Sequence, residues 1–255
     1  MTPLAIDLFC GLGGWTEGLL AEGYYVVGFD NERHKYGEAM YPAQLVLQDV
    51  FTLHGRQFKD AALIVASPPC QEYSYMAMPW ALAKEKQRQI EASTYERARL
   101  TALFDACFRI QREASEAAGR HIPMIVENVR GAQKWVGRSR WNYGSFHLWG
   151  DVPALMPMTR KVAKVPGFRF DGSGRSFQTA SVEHWRKGGG GTWFGDYAAG
   201  IKQDGDWFNA SQPSISRSCS SKSKARKAAS AAIAKIPFEL SHYIAAHFKP
   251  RELCI

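Results

Sequence analysis

Six short apolar runs punctuate the first 150 residues: 4–9 (LAIDLF), 25–30 (YVVGFD), 45–49 (LVLQD), 62–67 (ALIVAS), 123–129 (PMIVENV) and 145–150 (SFHLWG). Several are rich in β-branched residues, and helix-compatible stretches lie between most of them. The longest such stretch, from about 80 to 118, is dense in Ala, Glu, Arg, Lys and Leu. Parallel neighbours need a crossover connection, and a helix is the usual one. Repeating strand then helix therefore implies an α/β fold, with a mostly parallel sheet covered by helices on both faces.

The alternation stops at about residue 151, which sets the expected first domain at 1–151. The next segment, 152–222, contains "PGFRFDGSGRSF" and "HWRKGGGGTWFGDYAAG" and shows no sustained period. It carries Trp185, Trp193, Phe194, Tyr197, Trp207 and Phe208, so it reads as a small irregular region rather than a linker. Helical character returns over 223–255, where Ile233, Ile236, Leu240 and Ile244 share one apolar face interrupted by Pro237. That segment is expected to pack back on the first domain.

Charge separates the same regions. The net charge is +8. Residues 160–227 hold 13 Lys or Arg against 5 Asp or Glu, and the rest of the chain holds 19 against 19. A basic segment on a balanced chain points to a polyanion, and a merely solvated face is the alternative. No apolar run approaches the ~18 residues of a membrane span, and the N-terminus lacks the basic start of a signal peptide. The five cysteines, Cys10, Cys70, Cys107, Cys219 and Cys254, fit neither a disulfide framework nor a CxxC metal site. A reducing cytoplasm is the expected compartment, without metal.

Open parallel sheets bind ligands beyond the carboxyl ends of their strands. The first run is followed by "DLFCGLGG", in which Gly11, Gly13 and Gly14 permit a tight turn into a helix. Its spacing is not the G-x-G-x-x-G of a dinucleotide site, and no G-x-x-x-x-G-K-[ST] is present. Asp30 and Glu32 end the second run, placed to meet ribose hydroxyls, and Asp49 ends the third, where it could meet an adenine amine. A glycine turn and two acids at successive strand ends suggest an adenosine-containing ligand. The fourth run ends in Ser67-Pro-Pro-Cys70 and the fifth in Glu127-Asn-Val129. Prolines restrict the backbone and would hold Cys70 at the sheet rim. A thiol and a carboxylate converging there form a covalent-catalysis arrangement. Taken singly, Cys70 could be a small buried hydrophobe and Glu127 a paired acid.

"DLFCGLGG", "SPPCQEYS" and "VENV" occur in the order and at roughly the spacing found in the DNA cytosine-5 methyltransferases, which the chain resembles over residues 4–135. The Pro-Cys pair separates it from exocyclic-amine methyltransferases, whose motif ends in an aromatic residue. The resemblance implies a Rossmann-like class I methyltransferase fold, with 152–222 as the target-recognition region. It implies S-adenosylmethionine as cofactor and S-adenosylhomocysteine as product. The cofactor residues carried over are Asp7, Phe9, Gly11, Leu12, Gly13, Gly14, Asp30, Glu32, Asp49, Val50 and Pro69, with Glu32 ahead of Asp30 for the ribose.

In the implied mechanism the Cys70 thiolate attacks C6 of a flipped-out cytosine and makes C5 nucleophilic. Glu127 holds the N3/N4 edge and acts as an acid. C5 takes the methyl group, and loss of its proton expels Cys70. Arg140, in Arg138-Ser-Arg140, would touch the base, with a phosphate contact as its alternative. The loop 71–89, containing Tyr73, Tyr75, Met76, Met78 and Trp80, would close over duplex DNA. The family's late Gly-Asn is replaced by "IAKIP", without an Asn. The expected protein is a monomer in a bacterial or phage-infected cell, either half of a restriction-modification pair or a stand-alone modifier. The alternatives are an RNA (tRNA) cytosine-5 methyltransferase, a non-catalytic DNA-binding relative, or transfer of a larger group.

Overall fold

The computed structural model describes residues 2–36, 38–71, 73, 80–156, 231 and 234–250. Its strands are β1 (Leu4–Leu8), β2 (Tyr25–Asp30), β3 (Lys35–Tyr36), β4 (Ala39–Met40), β5 (Gln44–Leu47), β6 (Ala61–Ala66), β7 (Met124–Asn128), β8 (Trp141–Tyr143) and β9 (Phe146–Gly150). Its helices are α1 (Gly14–Ala21), α2 (Trp80–Ala92), α3 (Thr94–Ala118), α4 (Gln133–Val136) and α5 (Phe238–Phe248). Residues 157–222 of the expected target-recognition region lie outside the described residues. So do Tyr75, Met76, Met78 and the side chain of Trp80 in the expected closing loop, and Ile233 on the C-terminal apolar face.

Among the described residues, seven strands form one sheet in the order β5-β2-β1-β6-β7-β9-β8, and β3 pairs with β4 as a short antiparallel ribbon. β5, β2, β1, β6 and β7 are parallel, whereas β9 runs antiparallel to β7 and β8 antiparallel to β9. This is a mostly parallel Rossmann-like sheet. From β1 the chain winds outward through β2 and β5, then returns to β6 and winds the other way. The crevice between the ends of β1 and β6 is thus the topological switch point, where such sheets bind ligands.

Period-two alternation divides each central strand between two cores. Ile6, Leu8, Ile64, Ala66, Met124 and Val126 face one cluster, which α3 completes with Phe104 and Ile110. Ala5, Leu63, Val65 and Ile125 face the other, which α1 and α5 complete with Trp15, Leu19, Leu240 and Ile244. Each fully buried side chain of this size stabilises the fold by roughly 1.5–3 kcal/mol relative to exposure. α5 begins directly after Pro237 and sits against α1. Two glycines permit the approach: a Cβ on Gly14 would lie 2.4 Å from the Ile236 nitrogen, and one on Gly18 would lie 2.3 Å from the His242 nitrogen.

The long stretch 80–118 is two helices rather than one. Ser93 takes extended backbone geometry, and its Oγ accepts a hydrogen bond from the Glu96 N–H at 3.2 Å, capping α3. The last apolar run, 145–150, enters the sheet antiparallel because a short hairpin, turned at Gly144 (φ 55°), joins it to β8. Among the described residues, no helix is long and apolar enough to cross a membrane, and no group of three or more His, Cys, Asp or Glu could hold a metal ion.

Candidate active site

The turn after β1 is tightly bent. Phe9, Gly11 and Gly13 all take left-handed backbone geometry, at φ 58°, 51° and 79°. For Phe9 that conformation costs about 1 kcal/mol or more, and such strain clusters at ligand sites. The Gly13 N–H donates to the Cys10 carbonyl at 2.8 Å, and the Cys10 N–H donates to the Phe29 carbonyl at 3.2 Å. Asp30, at the end of β2, braces the same turn. Its Oδ2 accepts from the Gly11 N–H at 2.9 Å and its Oδ1 from the Glu32 N–H at 3.3 Å. Burial pushes this carboxyl upward, but the bonds from His34, Gly11 and Glu32 prevail and leave it below its ordinary range. Asp30 is thus engaged in building the turn, while Glu32 stands exposed beside His34. At the end of β5, Asp49 accepts from the Phe51 N–H at 2.9 Å and Val50 packs into the core. Leu12 is half-buried within the glycine turn.

Asp7 lies under this turn and is 1% exposed. Its Oδ2 accepts from the Thr16 hydroxyl at 2.6 Å, and Thr16 in turn lies 2.7 Å from the Tyr41 hydroxyl. Tyr41 reaches this position over Gly28, where a Cβ would fall 2.3 Å from the ring. Asp7 Oδ1 has no hydrogen-bond partner among the described residues. Burial, with a smaller contribution from the charge of Asp30, pushes the Asp7 carboxyl up from 3.8 to about 7, against the opposing pull of Thr16. A carboxyl raised on folding favours the native state while protonated. Its contribution is complete below about pH 4 and is lost as pH rises through about 7. Melting temperatures of ligand-free wild type should therefore decline over that window more steeply than those of Asp7→Asn. Parallel curves for the two proteins would contradict this account of Asp7.

The cysteine segment leaves β6 at the adjoining strand end. The Ser67 N–H donates to the Leu8 carbonyl at 3.2 Å, and Ser67 Oγ accepts from the Trp15 indole N–H at 2.9 Å. The buried Pro68 offers its carbonyl to Asn128 Nδ2 at 2.9 Å. Pro69 is exposed and Cys70 half-buried. The Cys70 carbonyl accepts from the Tyr73 N–H at 3.0 Å. Tyr73 is buried edge-on against Phe104, and its hydroxyl donates to the Leu100 carbonyl at 2.7 Å. Gly131 admits this arrangement, since a Cβ there would fall 2.1 Å from the Tyr73 carbonyl oxygen.

Glu127 is 7% exposed near the end of β7, the parallel neighbour of β6, with Ala66 registered opposite Val126. Cys70 and Glu127 therefore belong to adjacent strand ends. Cys10 and Cys107 are buried, and burial pushes both thiols well above their ordinary range. Arg140 is exposed at the start of β8, its N–H donating to the Leu148 carbonyl at 2.9 Å, with β9 between it and β7. Nearby, Ser139 Oγ lies 2.9 Å from His147 Nδ1 and donates to Gln133 Oε1 at 3.1 Å. Burial, then the charge of Arg130, holds His147 below its ordinary value.

Thr16, Tyr41, Trp15 and Ser67 were not singled out by sequence reasoning as site residues, and Asn128 entered it only as a letter of "VENV". Each acts through a partner distant in the chain, so no local pattern marks it.

Comparison with known proteins adds to this geometry. The family described as C-5 cytosine-specific DNA methylase matches residues 4–134. The Type II methylase M.HgiDII of Herpetosiphon aurantiacus is 34% identical over 83 residues, which are 29% of this chain and 23% of that protein. Among solved structures, the S. pombe Dnmt2 methyltransferase aligns at 16% identity and TM-score 0.33, over 54% of this chain and 37% of that one. The Entamoeba histolytica methyltransferase EhMeth aligns at 14% identity and TM-score 0.33, over 54% and 41%. The chain thus spans well under two thirds of the length of each of these relatives. The match over 4–134 takes in the glycine turn, the cysteine segment and Glu127, and on it the chain belongs to the C-5 cytosine-specific DNA methylases.

Proposed function

We propose that the chain methylates carbon 5 of a flipped-out cytosine in duplex DNA, with S-adenosylmethionine as cofactor, Cys70 as nucleophile and Glu127 as acid. The observation that carries this reading is the placement of Cys70 and Glu127 at adjacent parallel strand ends, beside the switch-point crevice. The glycine turn fits the proposed cofactor. One carboxyl oxygen of Asp7 beneath it has no hydrogen-bond partner among the described residues and would suit a cationic group, and Glu32 and Asp49 stand at the next two strand ends. With Phe9, Gly11, Leu12, Gly13, Gly14, Val50 and Pro69, these residues would hold the cofactor. Asp30 would serve by keeping the turn in shape. When bound, the cofactor supplies an electrophilic methyl group for C5.

The protein's own work is as follows. The Cys70 thiolate adds to C6, forming a C–S bond and leaving C5 electron-rich. Glu127 donates toward N3, where negative charge develops during the addition. Once C5 is substituted, its proton passes to water, the C5–H electron pair re-forms the C5–C6 double bond, the C–S pair leaves with Cys70 as thiolate, and Glu127 recovers its proton from N3. The clamps on Ser67, Pro68 and Cys70 limit the directions from which the sulfur can approach. Arg140, on the outer strand, suits a phosphate of the DNA backbone better than the base. The basic segment 152–222 would read the target, and 223–255 would belong to the catalytic domain.

The test is transfer of labelled methyl to mixed-sequence duplex DNA, with tRNA in parallel and the product identified by mass spectrometry. The expected product is 5-methylcytosine in DNA. Label confined to tRNA would move the substrate to RNA, and no label in either would remove the proposal.

A further inference from the structure

Ser67 to Cys70 includes two prolines and so lacks two backbone donors. Such a segment must be held largely through its carbonyls and side chains. Two of its anchors come from elements that carry other parts of the site. Asn128, which grips Pro68, directly follows Glu127. Trp15, which grips Ser67, sits in the first turn of α1 directly after the glycine turn, 52 residues away in sequence.

Any large apolar residue could fill the core position of Trp15, which is 2% exposed among Ala5, Leu19 and Leu63. Only tryptophan brings a buried N–H that must find an acceptor. Ser67 supplies that acceptor, three residues before the nucleophile. We infer that the Trp15–Ser67 hydrogen bond is a positioning contact that couples the seat of the cofactor turn to the placement of Cys70. Trp15 touches neither substrate nor thiol in this role. It fixes the base of the segment that carries the thiol, where displacements of about 1 Å are costly to rate.

This inference rests on the function proposed above, and its test separates the two. Trp15→Phe keeps an aromatic side chain in the core but loses the donor together with some ring volume, and Ser67→Ala removes the acceptor alone. Each is expected to lower kcat for methyl transfer about tenfold, the scale of one buried hydrogen bond. KM for DNA and Kd for the cofactor should stay within about twofold. The double variant should be no slower than the slower single variant, as shared loss of one contact requires. Ser67→Thr, which keeps the hydroxyl, should restore the rate. Independently of activity, alkylation of Cys70 by iodoacetamide, followed by peptide mass spectrometry, should change at least about threefold in both single variants. Rates of turnover and alkylation unchanged in both, or additive losses in the double variant, would overturn the inference. If wild type methylates no nucleic acid, the proposed function fails while the alkylation rates still decide the contact.

Discussion

Cys70→Ser is expected to reduce methyl transfer to DNA at least about a thousandfold while cofactor affinity stays within about twofold of wild type. The two side chains are nearly the same size, but a serine hydroxyl does not ionise near neutral pH, and C6 addition needs a strong nucleophile. The fold has little reason to notice the change. Cys70 is half-buried, and the hydrogen bond linking it to Tyr73 uses the backbone carbonyl. Cys107→Ala should behave in the opposite way. That thiol is fully buried in the α3 core and donates to the Leu103 carbonyl at 3.2 Å, so its loss should lower stability and leave the chemistry intact. Single-turnover rates with labelled cofactor, together with calorimetric cofactor binding, would check both. Activity of Cys70→Ser within tenfold of wild type would remove Cys70 from the reaction.

Gly18→Ala is expected to lower the melting temperature by roughly 3–10 °C, corresponding to about 1–3 kcal/mol of overpacking. The sign is the informative part. In an exposed helix interior the same change stabilises by about 1 kcal/mol, because alanine restricts the unfolded chain and favours helix. Here the added methyl would stand 2.3 Å from the His242 nitrogen and 2.4 Å from the Ser241 carbonyl carbon. Both are backbone atoms of α5, so no rotamer change relieves the clash and the helix itself must shift. That shift would also strain the bond from the Tyr24 hydroxyl to the Ala245 carbonyl, 3.0 Å long. The Glu22 ion pairs with His242 and Lys249 are partly exposed and would offset little. Thermal melting with limited proteolysis at the C-terminus would measure the effect, and a raised melting temperature would contradict the close α1–α5 contact.

Much of the architecture was legible in the chain itself. The six apolar runs correspond to strands whose ends shift by no more than about two residues, because Gly, Pro and Asp punctuate the chain where strands stop. The break at Ser93 was passed over: Ser93-Thr-Tyr-Glu96 is a capping-box pattern, but helix composition on either side obscured it. β8 was not legible, since Trp141-Asn-Tyr143 is too short for any period to show. The antiparallel entry of β9 followed from that hairpin.

For the candidate site, the order of motifs along the chain pointed to Cys70, Glu127 and the glycine turn, each at its strand end or within a few residues of it. Pairings that hold those groups in place were beyond such reading. Trp15 meets Ser67 across 52 positions, and Asn128 meets Pro68 across 60. The Asp7 oxygen that has no partner among the described residues, and the near-neutral titration of its carboxyl, arise because α1 and Tyr41 cover it. Strand, turn and cap preferences are set by covalent geometry and near neighbours, so the sequence determines them locally. Burial and long-range hydrogen bonding depend on which elements pack together, and only the tertiary structure decides that.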